Sequence, residues 1–118
     1  MVMYNARRFR TWMMTIRYTS TDYIGEEEIK ERLFSLKDIR YFMFQLLKDV
    51  DGAYHQILCT FDNSKSFQMM EEKFPEASVG PVNGLYDDPY SHFTESNDKI
   101  KDLVEWMQET QNSGKNEK

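Results

Sequence analysis

The 118 residues contain a single cysteine, Cys59, so no internal disulfide can form and no cysteine framework suggests a secreted domain. Cys59 lies inside an apolar run, where a buried, inert thiol is expected rather than a nucleophile. No apolar run approaches the ~20 residues that a bilayer-spanning helix needs. The basic N-terminus is not followed by an apolar stretch with a small-residue cleavage site. A soluble, cytoplasmic protein with no membrane partner is therefore expected. The chain also lacks a phosphate-cradling glycine loop, a two-histidine metal spacing and a Ser-His-Asp context, so nothing in it asks for a cofactor. Internal repeats and low-complexity blocks are absent as well.

What is present is a folded-protein composition, 40% hydrophobic and 14% aromatic, in a length that suits one core. Charge is uneven. Residues 1–18 carry Arg7, Arg8, Arg10 and Arg17 with no acid, a balance of +4 within a net charge of −5. The remaining body is acidic, which favours basic protein surfaces and repels nucleic acid at long range.

Alternation and turn chemistry divide the chain. Residues 1–9 read as a flexible basic arm, 10–111 as a single domain and 112–118 as a disordered polar tail. Trp12, Met14, Ile16 and Tyr18 alternate with Met13, Thr15 and Arg17 in a first strand. Glu26, Glu27 and Glu28 favour the positive end of a helix whose apolar stripe is Ile29, Leu33 and Leu36, stopping near Lys37. Residues 39–47 and 54–61 are strands, and Asp51-Gly52 marks a hairpin turn between them. Asp62, Asn63 or Ser64 caps a second helix carrying Phe67, Met70 and Phe74, ended by Pro75. Residues 77–82 form an edge-like fourth strand that could pair with a second chain, leaving monomer and dimer both open. Ile100, Leu103, Val104 and Met107 recur at helical spacing in a last helix capped by Ser96 or Asn97. The expectation is an α+β fold, an antiparallel sheet of about four strands in βαββαβα order, with its helices mainly on one face.

The purely apolar strand sets, such as Phe42, Phe44, Leu46 and Ile57, Cys59, Phe61, belong against the helices. The other parity places Tyr41, Met43, Gln45, Leu47, Tyr54, Gln56 and Leu58 together on the opposite face. A solvated antiparallel face is normally polar. Either the last helix covers this one or it is a contact surface for protein or unstacked bases.

Element order and several short strings resemble the N-terminal endonuclease domain of rolling-circle replication initiators, the HUH-type Rep proteins of circoviruses and plasmids. The strings are Trp12-Met13-Met14-Thr15, Phe44-Gln45-Leu46-Leu47, Tyr54-His55-Gln56, Phe61, Phe74-Pro75-Glu76-Ala77 and Gly84. Roughly residues 10–93 are covered, and the ferredoxin-like Rep fold is what the resemblance implies. In that family a strand-end glutamate and a motif histidine bind a divalent cation, and a helical tyrosine assisted by a lysine attacks phosphorus. Here Leu47 stands at the glutamate position and Tyr54 at the first histidine position, while Gln56 matches. An amide alone cannot hold a hard cation against water. His55 is one residue out of phase, which sends it to the other sheet face as a packed or rim histidine. Tyr90 remains the candidate nucleophile, but Phe93 replaces the lysine. Metal ligation and catalysis are therefore not expected.

Three functions follow as expectations. The first is a non-catalytic Rep-like protein of a plasmid or phage that inhibits a nucleic-acid-processing machine, concretely an anti-CRISPR acting on a Cas nuclease with its guide RNA. The second is a replication-initiator-like protein binding origin DNA, with Arg7, Arg8 and Arg10 on phosphates and Tyr41 or Tyr54 stacking bases. The third is a residual nuclease using Tyr90.

Overall fold

The computed structural model describes residues 8–82, 90, 93 and 98–108. In chain order the elements are β1 (Arg8–Arg17), α1 (Glu26–Ser35), β2 (Ile39–Asp49), β3 (Gly52–Ser66), α2 (Phe67–Lys73), β4 (Ser78–Pro81) and β5 (Val104–Met107). All neighbouring strands pair antiparallel, in the order β4-β1-β3-β2-β5. β1 and β2 both pair with β3 and so run parallel to each other; β3 and β4 stand in the same relation across β1. α1 and α2 are thus the crossovers that parallel strands require.

Both helices lie on one face. Ile29 and Leu33 of α1 and Met70 of α2 join Trp12, Met14, Phe42, Phe44, Ile57, Cys59 and Phe61 in one core. Trp12, Met14 and Ile16 are buried while Met13 and Thr15 between them are half-buried, as period-two geometry requires. Each such large side chain contributes roughly 1.5–3 kcal/mol through the surface it removes from water. Cys59 lies at the centre of this layer, and burial pushes its thiol well above the ordinary range.

Local chemistry fixes the connections. In the β2–β3 hairpin the Asp51 N–H donates to the Asp49 carboxylate at 2.9 Å, and Gly52 takes φ +116°, where a side chain would be strained. α1 is followed by Asp38 at φ +70°, a left-handed position that aspartate tolerates better than most residues. Its carboxylate accepts from Asn63 and its carbonyl from the Asp62 N–H, each at 2.8 Å.

Several expectations are corrected. Among the described residues the sheet has five strands and the order is βαββαββ, because 104–107 form β5 on the free edge of β2 instead of a last helix. β1 begins at Arg8, so Arg8 and Phe9 belong to the sheet rather than to an arm: they pair with Ser66 and Lys65. That pairing prolongs β3, which moves the cap of α2 to Ser66, whose Oγ accepts from the Met69 N–H at 3.2 Å. Arg7 and the expected tail at 112–118 lie outside the described residues. Among the described residues no helix is long and apolar enough to cross a membrane.

Candidate functional site

The sheet face away from α1 and α2, helix-free among the described residues, carries all seven residues that alternation grouped together. In register, Tyr41 lies opposite Thr60, Met43 opposite Leu58, Gln45 opposite Gln56 and Leu47 opposite Tyr54. β1 adds Thr11, Met13, Thr15 and Arg17 to the same face, opposite Thr60, Leu58, Gln56 and Tyr54. These β1 positions were legible in the same alternation but carry no motif, so sequence reasoning left them out.

The face is not an open apolar platform. Met43, Gln45, Leu47, Gln56 and Leu58 are all buried, Leu47 to 1% exposure, and only Tyr41 and Tyr54 keep partial access to solvent. The seven-residue contact surface is therefore corrected to its two tyrosine ends. The expected last helix does not produce this burial, since its residues run along the β2 edge as a strand.

Gln56 and Tyr54 are wired into the sheet rather than aimed at a common ion. Gln56 accepts from the Thr15 hydroxyl at 3.2 Å and donates to the Met14 carbonyl at 3.3 Å. It ties β3 to β1 and satisfies a polar group that burial would otherwise penalise. The Tyr54 ring lies under the Arg17 guanidinium, 4.7 Å from centroid to Cζ. Arg17 in turn makes a two-pronged pair with Asp49 at 2.7 and 3.2 Å, which holds that carboxyl below its ordinary range. Among the described residues no three His, Cys, Asp or Glu side chains gather closely enough to hold a metal ion.

At the other end, Tyr41 donates to Glu105 at 2.7 Å, and burial together with that carboxylate pushes its phenol well above the ordinary range. Tyr90 neighbours it and is 58% exposed. Met107, directly opposite Tyr41 across the β2–β5 ladder, is 64% exposed. Tyr41, Tyr90 and Met107 form the accessible patch of this face, with Glu105 as its charge. Glu105 and Met107 were hidden from sequence reasoning because the helical spacing of that segment gave them no place on the sheet.

His55 lies on the opposite, helix-covered face, opposite Ile16 and Leu46, as its phase requires. Arg8 and Arg10 are exposed at the head of β1, where Arg8 donates to the Ser64 carbonyl at 2.8 Å. Gly84 lies outside the described residues. Comparison with protein-family models, with curated proteins and with solved structures finds no match for the chain.

Proposed function

We propose that the chain is a non-catalytic binding protein of Rep-like, ferredoxin-like design that docks on a nucleic-acid-processing machine, most concretely a Cas nuclease with its guide RNA, and inhibits it. The observation that carries this reading is the cross-strand pair Leu47–Tyr54. Where the resemblance calls for a glutamate and a histidine aimed at one cation, this pair offers a buried aliphatic group and a phenol covered by Arg17. Neither side chain is a ligand for a hard cation. Docking falls to the Tyr41, Tyr90 and Met107 patch, whose residue types are those that anchor protein contacts, within an acidic body suited to a basic partner.

The test is co-elution with a purified Cas nuclease–guide complex and loss of target cleavage. Tyr41→Ala combined with Met107→Glu should weaken both. Full cleavage and no complex across several effectors would refute the reading. A second reading, binding of origin DNA, draws on the exposed Arg8 and Arg10 at the head of β1. It requires hairpin-DNA binding that falls steeply with salt and disappears on charge reversal of those arginines.

A further inference from the structure

On the helix side of the sheet, away from the tyrosine patch, is a cavity of about 200 Å³. Its floor is Phe44, Leu46 and His55. One wall is the chain entering α1 at Ile24, Gly25 and Glu26, and the other is the 101–104 stretch leading into β5. This stretch bulges. Between the Leu47–Lys99 bridge and the Phe44–Val104 pair the outer chain advances five residues while β2 advances three, which brings Lys101 and Asp102 to the cavity.

Three sources of hydrogen-bond donors meet there. His55 is 5% exposed, and its Nδ1 lies 2.6 Å from the Tyr18 hydroxyl. That hydroxyl already accepts from the Ile24 N–H at 3.4 Å. Among the described residues, the only acceptor within reach of its own proton is therefore Nδ1. With the phenol donating to Nδ1, the neutral imidazole carries its hydrogen on Nε2, which has no partner among the described residues. The ring stays neutral at physiological pH, since burial and then Lys101 depress its pKa to about 4.

The second source is the start of α1. Its N-cap is Gly25, and no side chain caps the helix. The first-turn glutamates lean the other way, Glu26 to Lys30 at 3.0 Å and Glu28 to Arg32 at 2.8 Å. The third is Lys101, which has no ion pair among the described residues. The two acids of the cavity are already matched, Glu26 by Lys30 and Asp102 by Lys99 at 2.9 Å. What is left over is positive charge and N–H donors beside the apolar side chains of Ile24, Phe44, Leu46 and Val104.

We propose that this cavity binds a carboxylate carried next to a small apolar group, the oxygens taking hydrogen bonds from His55 Nε2, Lys101 and the uncapped turn of α1. The proposal stands independently of the docking reading, because it concerns the opposite face of the sheet. Two sources of such a carboxylate exist, a free short-chain acid and the C-terminus of a peptide ending in an aliphatic residue.

The test follows the ring resonances of His55 in the full-length labelled chain. The probes are 3-methylbutanoate, its amide, and an acetylated tripeptide ending in leucine. A saturable shift with a dissociation constant on the order of 1 mM is expected for so small an acid. Tighter binding of the peptide would assign the site to chain termini, and tighter binding of the free acid to metabolite-sized ligands. Gly25→Asp supplies the missing cap at a backbone conformation open to any residue, with free space around the new Cβ. It should leave the fold intact while weakening binding at least tenfold, and the exposed Lys101→Gln should do the same. The proposal is overturned if neither carboxylate shifts His55 saturably, if the amide binds as well as the acid, or if both variants bind like the parent chain.

Discussion

Replacing Leu47 by glutamate restores the residue type that the Rep resemblance calls for, and it asks whether the helix-free face is core or surface. Leu47 is 1% exposed. Losing its burial removes roughly 2 kcal/mol of apolar transfer energy. The new carboxylate would sit beside Gln45 and Tyr54, where desolvation raises its pKa by several units. At pH 7 each unit above the ordinary value near 4.3 costs about 1.4 kcal/mol, up to the limit of neutralising the group, so this adds about 3–4 kcal/mol. The sum, about 5–6 kcal/mol, is of the order of a small domain's whole stability. The sign with pH is specific. A carboxyl whose folded pKa lies above its unfolded one binds more protons in the folded chain through that window. The penalty therefore shrinks as pH falls toward 4 and grows as pH rises. Urea unfolding of Leu47→Glu and of a Leu47→Met control, each minus the parent chain at pH 4.5 and 7.5, measures both quantities. A variant within 1 kcal/mol of the parent, with no pH slope in the difference, would refute the burial of Leu47.

Three further outcomes can be checked on the same material. His55, with a pKa near 4 against an ordinary 6.5, leaves the unfolded chain binding the extra proton between those values. Stability should be full above pH 6.5 and fall as pH drops toward 4, by up to about 3 kcal/mol, and the slope should flatten in His55→Gln; an unchanged slope assigns the loss to other groups. Gly52→Ala forces a side chain into φ +116° and should cost about 1–3 kcal/mol in chemical denaturation, against no loss if the turn relaxes. Cys59 should react with a thiol reagent only at the rate of global opening and become reactive in denaturant, whereas immediate labelling of the native chain would contradict its place in the core.

The legible parts of this fold are those where one physical cause acts alone. β1, β2 and β3 are long, rich in β-branched, aromatic and methionine residues, and alternate cleanly, so parity alone put His55 and Leu47 on opposite faces. Asp51-Gly52 gave the hairpin. Boundaries were less legible because a partner strand, not the local sequence, decides where β3 stops. The segment at 100–107 was misread for a different reason. Ile100, Leu103, Val104 and Met107 have helical spacing, yet Ile100 and Leu103 are 38% and 37% exposed, and the stripe is not a buried face. The operative pattern is the shorter one, in which Val104 and Trp106 pack against the core while Glu105 and Met107 turn away. Without β5, β2 would present an unpaired apolar edge; pairing that edge outweighs the helical spacing. Nor could burial of the second face be read from alternation, which says which residues share a face and not whether anything lies over it.

β5 is also where the two sides of the sheet meet. Its strand alternation sends Glu105 to the Tyr41 phenol on the helix-free side and packs Trp106 against Phe42 and Phe34 on the other, with ring centroids 5.4 and 4.9 Å apart. The bulge just ahead of it delivers Lys101 to the His55 cavity. A helix over the same residues would dissolve the tyrosine patch and the cavity wall together, because neither the Tyr41–Glu105 bond nor the placement of Lys101 survives a change from 2.0 to 3.6 residues per turn. The strand at this edge is thus a condition for both proposed sites. A proline at Val104, which faces Phe44 at a hydrogen-bonded position of the β2–β5 ladder, in phase with the Gln108 N–H that donates to the Arg40 carbonyl, would test that dependence directly. It should open the β2 edge, shift the Tyr41 and His55 resonances together and leave the Trp12 core signals in place; a shift confined to one face would show that the two sites are built independently.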